Sequence, residues 1–244
     1  AFDLRDRLRE TLADPSVEGA VVTHGTATLE ETAYLLDLTL NSEKTVVVTG
    51  AMRRFDEKDA DGPRNLLYAA RLAVYPAARG RGVLVALAGE IHSARDAIKA
   101  YTDRLAAFIS RDGGPVGTIT KNGITFFSKP DRRLYFEVDQ HKEDVQLVKM
   151  TLGTSDLLVR TCIQEQVDGI VVEGMGAGNV NDANFYALCD ALSAGIPVVM
   201  ATRVLTGCPQ AEYVYPGSLR SLLDHGAISG GYMSGPKARI LLMV

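Results

Sequence analysis

Apolar and polar positions alternate along the chain in two rhythms: short apolar runs and longer stretches with helical spacing. An apolar run of about five residues bounded by glycine or polar residues is typical of a buried strand, and spacings of three or four are typical of a helix. The regular exchange of the two predicts an α/β fold with parallel strands. The predicted strands cover 19–23, 45–49, 83–87, 169–172 and 197–201, the predicted helices cover 28–40, 155–166, 182–194, 218–224 and 236–244, and Asn122-Gly123 predicts a hairpin joining 118–120 to 124–127.

Two helix starts carry local signals. Thr28 and Glu31 have the spacing of a capping box, in which the hydroxyl accepts a free backbone N–H and the carboxylate reaches back. Asp61-Gly62-Pro63 starts another helix, because proline is harmless in a first turn.

The pattern predicts two domains joined by a linker. From about residue 128 the chain becomes polar and loses its period, and the strand-helix rhythm then resumes. We therefore predict an N-terminal α/β domain over 1–127, a linker over 128–147 and a C-terminal α/β domain over 148–244.

Composition narrows the class of protein. The chain has 244 residues, a net charge of -4 and no long run of Lys or Arg, so neither nucleic-acid nor membrane-surface binding is indicated. No apolar stretch approaches the roughly 18 residues that a membrane span needs. The three cysteines are widely spaced and the four histidines do not cluster, so we expect no disulfide framework and no metal site.

Three segments that follow predicted strands are candidates for chemistry, because ligands of open α/β sheets bind at the carboxyl ends of strands. In the first segment, residues 23–28, Gly25 lets the backbone approach a ligand and Thr26 presents a hydroxyl. A plain tight turn explains the same residues. In the second, Lys99 acts as a general base if a dry pocket lowers its pKa, and is otherwise a solvated surface group. The third is Gly-rich but lacks the last glycine of a dinucleotide loop, since Asn179 stands there, so we expect no nucleotide cofactor.

Seven strings occur in order along the chain: His24-Gly25-Thr26-Ala27-Thr28-Leu29-Glu30-Glu31-Thr32-Ala33, Thr49-Gly50-Ala51-Met52-Arg53, Asp59-Ala60-Asp61-Gly62-Pro63, Arg95-Asp96-Ala97-Ile98-Lys99, Gly176-Ala177-Gly178-Asn179, Thr206-Gly207-Cys208 through Glu212, and Gly235-Pro236-Lys237-Ala238-Arg239. Taken together, they resemble one family, the bacterial-type L-asparaginases and glutaminases. The resemblance covers essentially the whole chain, and its first string is the most specific.

The resemblance implies a two-domain asparaginase-like fold with a larger N-terminal and a smaller, flavodoxin-like C-terminal α/β domain. It implies an amidohydrolase that uses a threonine nucleophile and no metal or cofactor, and that assembles as a homotetramer with sites shared between subunits. Thr26 and Lys99 then belong to a supporting catalytic unit that lies within hydrogen-bond reach. The expected substrate-binding residues are Gly25, Ala27, Ala51, Asn179 and Glu212, of which Asn179 and Glu212 come from the neighbouring subunit.

Two departures from the family pattern qualify this expectation. Ala27 stands where the family has an aspartate that contacts the substrate's α-amino group, so we expect impaired activity or a different substrate. Nothing before Gly19 matches the family's nucleophile loop, and the first residues instead resemble the helix that precedes the first string. The N-terminal domain therefore looks truncated at its start, either because a segment is missing or supplied separately, or because the protein never needs it.

Three functions stay open at this point. The leading one is an asparaginase- or glutaminase-type amide hydrolase, impaired in this form. The second is a related amide or lactam hydrolase whose substrate lacks the α-amino group. The third is a catalytically dead relative that binds an amino acid or a partner subunit. For location we expect the cytoplasm, with the periplasm as the alternative.

Overall fold

The computed structural model describes residues 2–128 and 133–244. Its contacts divide the chain into two compact units, one ending at Glu137 and the other beginning at Val138. Within the predicted linker, 129–132 lie outside the described residues, and the last three linker positions already belong to a strand of the second unit. The described helices are α1 (Phe2–Ala13), α2 (Leu29–Thr39), α3 (Gly62–Ala73), α4 (Leu157–Gln164), α5 (Asp182–Ser193), α6 (Leu219–Asp224) and α7 (Gly235–Met243).

The strands form three sheets. The first unit holds a six-stranded sheet of order β1-β2-β3-β4-β7-β8 and a two-stranded sheet β5-β6, and the second unit holds a sheet of order β12-β11-β10-β9. The strands are β1 (Gly19–Thr23), β2 (Thr45–Thr49), β3 (Val83–Leu87), β4 (Glu90–Ser93), β5 (Ala97–Lys99), β6 (Phe108–Ser110), β7 (Gly117–Thr120), β8 (Gly123–Phe126), β9 (Val145–Lys149), β10 (Gly169–Gly174), β11 (Val198–Thr202) and β12 (Ile228–Ser229).

The two-domain α/β fold is confirmed, but the first sheet is mixed. Strands β1, β2 and β3 are parallel, whereas β4, β7 and β8 are antiparallel to their neighbours. The reversal comes from a two-residue turn after β3, in which Ala88 and Gly89 have φ angles of 51° and 86°. Positive φ at both central positions matches the right-handed twist of a hairpin. The segment that carries Lys99 is therefore not a loop, as its position after the third strand suggested, but the strands β4 and β5.

The core of the first unit lies on both faces of its sheet. Val46 and Val48 pack with the side chains of α1 and α2, and Val47 points to the opposite face and packs with those of α3. All five residues of β2 are buried, which is typical of a central parallel strand covered on both sides. The second unit repeats this arrangement, since Ile170 and Val171 of β10 face opposite clusters.

The start of α2 differs from the predicted capping box. Thr28 is the first flanking residue, as predicted, but its side chain makes no capping hydrogen bond and its φ and ψ are -124° and 15°. Its backbone carbonyl instead accepts the N–H groups of Glu31 and Thr32. The predicted capping box is therefore wrong. The turn of the predicted hairpin is also shifted by one residue, to Lys121-Asn122, because Gly123 already pairs with Thr120.

No helix among the described residues is long and apolar enough to cross a membrane.

Candidate functional site

The loop that follows β1 is fixed by its neighbours. His24 donates its backbone N–H to Thr49 O at the end of β2, at 2.9 Å. The imidazole of His24 lies 2.7 Å from Gly25 O through Nδ1 and 3.0 Å from Thr32 Oγ1 through Nε2. A carbonyl only accepts, so Nδ1 donates, and in the neutral ring Nε2 accepts the Thr32 hydroxyl proton. The loop is therefore tied to both β2 and α2 before it reaches Thr26.

A close approach of backbone explains one glycine beside this loop. A Cβ atom on Gly50 would lie 2.5 Å from His24 O, which is closer than real Cβ contacts. Only glycine lets the ends of β1 and β2 pack this tightly. The match of Gly50 to the second string therefore has a steric reason.

Thr26 and Lys99 are brought together, as the sequence predicts. Lys99 Nζ donates to Thr26 Oγ1 at 2.7 Å, and both residues are half-buried. Thr26 lies three residues beyond the end of β1, and Lys99 is the last residue of β5. A hydroxyl in contact with an amine on a partly dry surface is suited to proton transfer.

Ala27 presents only a methyl group next to this pair. The residue is exposed, as is Gly25 on the other side of Thr26. An alanine can neither ion-pair with a substrate ammonium group nor accept a hydrogen bond from Lys99. The side chain at this position therefore supplies no recognition of an amino-acid head group.

Sequence reasoning did not single out Glu30, which the structure brings to the same place. Its carboxylate is buried, and Oε2 accepts the backbone N–H of Lys99. The signal available was weak: Glu30 belongs to the first matching string, but its partner lies 69 positions away.

A second group of missed residues holds the loop that contains Ala51. The buried Asp61 carboxylate accepts the backbone N–H groups of Met52 and Arg53 at 2.9–3.1 Å. Asn65 donates to Asp61 Oδ2 at 2.9 Å and to Gly50 O at 3.0 Å. Asp61 was predicted to start α3, and it does flank the helix. Its side chain points toward the preceding loop of Met52 and Arg53 and makes no capping hydrogen bond.

A cavity of about 690 Å³ opens at the carboxyl ends of β1 and β2. Gly25 and Ala51, two of the expected substrate-binding residues, lie on its wall. Residues of both loops line it, together with the exposed Phe55 and Leu66. The position agrees with the general rule for ligand sites in open α/β sheets.

The other expected binding residues lie in the second unit. The Asn179 side chain has a partner in its own unit, because Oδ1 accepts the backbone N–H of Leu219 at 3.1 Å. No hydrogen bond joins its Nδ2 group to a residue that the structure describes. The Glu212 carboxylate is exposed and likewise pairs with none of the described residues.

The Gly-rich segment before Asn179 is a tight turn. Met175 and Asn179 bond each other through both backbone pairs, at 2.8 and 2.9 Å. Gly176 and Gly178 have φ angles of 50° and 98°. A Cβ on Gly174 would lie 2.5 Å from the backbone of Gly178. The glycines therefore serve the turn itself.

Across 2–128 and 133–244, no three His, Cys, Asp or Glu side chains are grouped as metal ligands.

Comparison with known proteins gives two family models that match consecutive parts of the chain. "Asparaginase, N-terminal" matches residues 1–132, and "Glutaminase/Asparaginase C-terminal domain" matches residues 144–244. L-asparaginase of Bacillus licheniformis is 34% identical, with all of this chain and 76% of the relative covered. L-asparaginase 2 of Escherichia coli (strain K12) is 35% identical, with 99% and 72% covered. A probable periplasmic L-asparaginase of Haemophilus influenzae (strain ATCC 51907 / DSM 11121 / KW20 / Rd) is 36% identical, with 94% and 66% covered.

Proposed function

Because this chain belongs to the asparaginase family of amidohydrolases, we propose that it hydrolyses a side-chain amide to a carboxylate and ammonia. The observation that carries the proposal is the 2.7 Å hydrogen bond between Lys99 Nζ and Thr26 Oγ1 at the carboxyl end of β1. Asparagine and glutamine side chains are the substrate class.

We assign proton transfer to this pair. The attack is assigned to the nucleophilic threonine of the family's pattern, whose loop nothing before Gly19 matches. The uncharged amine of Lys99 takes the proton of the Thr26 hydroxyl while Thr26 Oγ1 takes the proton of the attacking hydroxyl. A C–O bond forms to the amide carbon. The proton then returns through Thr26 to the amide nitrogen, the C–N bond breaks and ammonia leaves. Water hydrolyses the resulting ester, which releases the carboxylic acid and restores the hydroxyl.

A second candidate function is favoured by Ala27. A methyl group at this position leaves a substrate α-amino group without its carboxylate partner. An amide or lactam without that amino group loses nothing at the same position. The chemistry of Thr26 and Lys99 is the same for both substrate classes.

We also propose a tetramer built from dimers, in which each site takes Asn179 and Glu212 from a neighbouring subunit. The free Nδ2 group of Asn179, among the described contacts, and the exposed carboxylate of Glu212 support this assignment. A two-fold interface is reciprocal, so one contact produces two such sites.

The test is ammonia release from a panel of amides, measured for the protein and for Thr26→Ala and Lys99→Ala. We expect each substitution to lower kcat by about 10²–10⁴, because that is the usual contribution of a positioned proton-transfer group. Lys121→Ala is the matched control, since Lys121 lies exposed in the β7–β8 turn.

Mass spectrometry of the trapped acyl-enzyme distinguishes proton transfer by Thr26 from nucleophilic attack by Thr26. An ester on Thr26 would overturn the role assigned to it, and unchanged activity in Lys99→Ala would overturn the proposal for the pair. Binding of asparagine without turnover of any amide would favour the catalytically dead alternative.

A further inference from the structure

The start of α2 contacts both halves of the Thr26–Lys99 pair. Thr26 lies just before the helix, and the helix begins at Leu29. Glu30, in its first turn, accepts the backbone N–H of Lys99. Thr32, in the same turn, holds the His24 imidazole at 3.0 Å, and so the loop that carries Thr26. One rigid helix therefore connects the loop of Thr26 to the strand of Lys99.

The strand that carries Lys99 needs such an anchor. Strand β5 has only three residues and pairs with β6, which is equally short. Two short strands alone are marginally stable in water. Lys99 is the last residue of the strand, opposite Phe108, so its position depends on what holds the strand end.

Glu30 is suited to this task by its surroundings. Its side chain is 9% exposed, and a buried carboxylate is costly unless it accepts hydrogen bonds. It lies in the first turn of a helix, where the free N–H groups favour negative charge. A charged acceptor on a backbone N–H gives a stronger hydrogen bond than a neutral one.

We propose that Glu30 is a positioning residue for amide hydrolysis: it fixes the backbone of Lys99 so that the amine stays in contact with the Thr26 hydroxyl. This inference rests on the proposed function for its kinetic consequence only. Glu30 acts through Lys99 and takes no part in the bond changes.

Three substitutions separate geometry from charge. Glu30→Ala removes the acceptor. Glu30→Asp keeps the charge but shortens the reach by one methylene group. Glu30→Gln removes the charge but keeps an acceptor oxygen at the same length. Glu31, the next residue of the same helix turn, is half-buried and serves as the matched control with the same three changes.

The first measurement does not need activity. Threonine methyl groups are labelled and observed by NMR, and Thr26→Ser, which lacks the methyl group, assigns the Thr26 signal. We expect the Thr26 methyl signal and the Lys99 amide proton signal to move in Glu30→Ala and Glu30→Asp. They should move less in Glu30→Gln and stay in place in the Glu31 variants.

The second measurement is the kinetics of amide hydrolysis. We expect kcat to fall about tenfold to a hundredfold in Glu30→Ala and Glu30→Asp, because a small misplacement of a reacting group has effects of this order. KM should change less than about twofold, since Glu30 does not touch substrate, and Glu30→Gln should recover most of kcat.

The outcomes are distinct. A Thr26 methyl signal and a kcat in Glu30→Ala equal to those of the unchanged protein would overturn the proposal. If Glu30→Ala does not fold, the same two quantities are compared between Glu30→Asp and Glu31→Asp. A Thr26 methyl signal and a kcat in Glu30→Asp equal to those of Glu31→Asp would overturn the proposal. If no variant and not even the unchanged protein hydrolyses an amide, the proposed function fails, and the NMR comparison alone decides on positioning.

Discussion

At the scale of single residues, Ala27 is the position to which we assign the choice between substrate classes. Its exposed methyl group lies between Thr26, which is held by Lys99, and the start of α2. The scaffold on both sides is intact, since His24 and Glu30 make the contacts that fix it. The position therefore accepts a larger side chain without disturbing the pair.

Ala27→Asp is expected to raise hydrolysis of asparagine or glutamine by about 10²–10³, because a charged contact to substrate is worth a few kcal/mol. Ammonia release checks this, and Ala27→Asn, of nearly equal size but uncharged, is the control. No gain on either amino acid, with turnover of an amide that lacks the amino group, would favour the second substrate class.

Tyr34 gives a prediction about pH. Burial, with a smaller contribution from the nearby Asp37 carboxylate, raises the pKa of its phenol to about 12. An unfolded tyrosine titrates near pH 10, so the folded state holds the proton longer between pH 10 and 12. The stabilisation is complete below about pH 10 and is lost as the pH rises through 12, by at most about 1.4 kcal/mol per pH unit.

Tyr34→Phe should remove this contribution and flatten the loss of unfolding free energy above pH 10. Urea unfolding at a series of pH values checks it, and Tyr186→Phe, with 57% of the residue exposed, is the control. Equal pH slopes for both variants would show that burial of Tyr34 has no such effect.

At the scale of elements, the strands and helices with strong periods were predictable, and their side-chain contacts were not. Strands β1, β2 and β3 have the predicted bounds because apolar runs are local signals. Glu30 and Asp61 could not be assigned, because their partners are backbone N–H groups, which every residue except proline carries. Strand β4 was missed because its pairing with β3 depends on the turn at Ala88, which has no glycine or asparagine at its first position. Strand β5 was missed because it is only three residues long and pairs with β6, which is equally short.

Asn65 connects three of these elements. It is 1% exposed, donates to Asp61 and Gly50, and accepts the backbone N–H of Ala88 at 3.1 Å. Asn65→Ala leaves buried groups without partners, at a cost of about 1–3 kcal/mol each. We expect a loss of unfolding free energy of that order in urea, together with weaker substrate binding through the loop of Ala51.

The matched control is Asn122→Ala, in the exposed turn between β7 and β8. A change in stability no larger than that of this control would contradict the structural role of Asn65.

At the scale of the whole molecule, the family and the two-domain architecture were predictable because matching strings occur in order along the chain. The tetramer stays a prediction, because the residues assigned to its shared site, Asn179 and Glu212, are defined by what a second subunit brings. Their own unit explains only the Oδ1 atom of Asn179.

Mixing experiments test the shared site. Glu212→Ala alone and Lys99→Ala alone should each be impaired, and a mixture after subunit exchange should regain activity, because some sites then contain both intact partners. In the control mixture, Glu212→Ala is replaced by Arg220→Ala, which removes an exposed ion pair with Asp224. A stable monomer in light scattering, or no recovery after demonstrated exchange, would count against the composite site.

The hydrogen bond from the Lys99 backbone to Glu30 has a consequence for how this scaffold evolves. Glu30 accepts an N–H that every amino acid except proline provides at position 99. Substitution of the lysine therefore removes an amine while the strand end stays anchored. Lineages can in this way drift through inactive intermediates without losing the fold, and acquire a new side chain at position 99 on a scaffold that selection has kept intact.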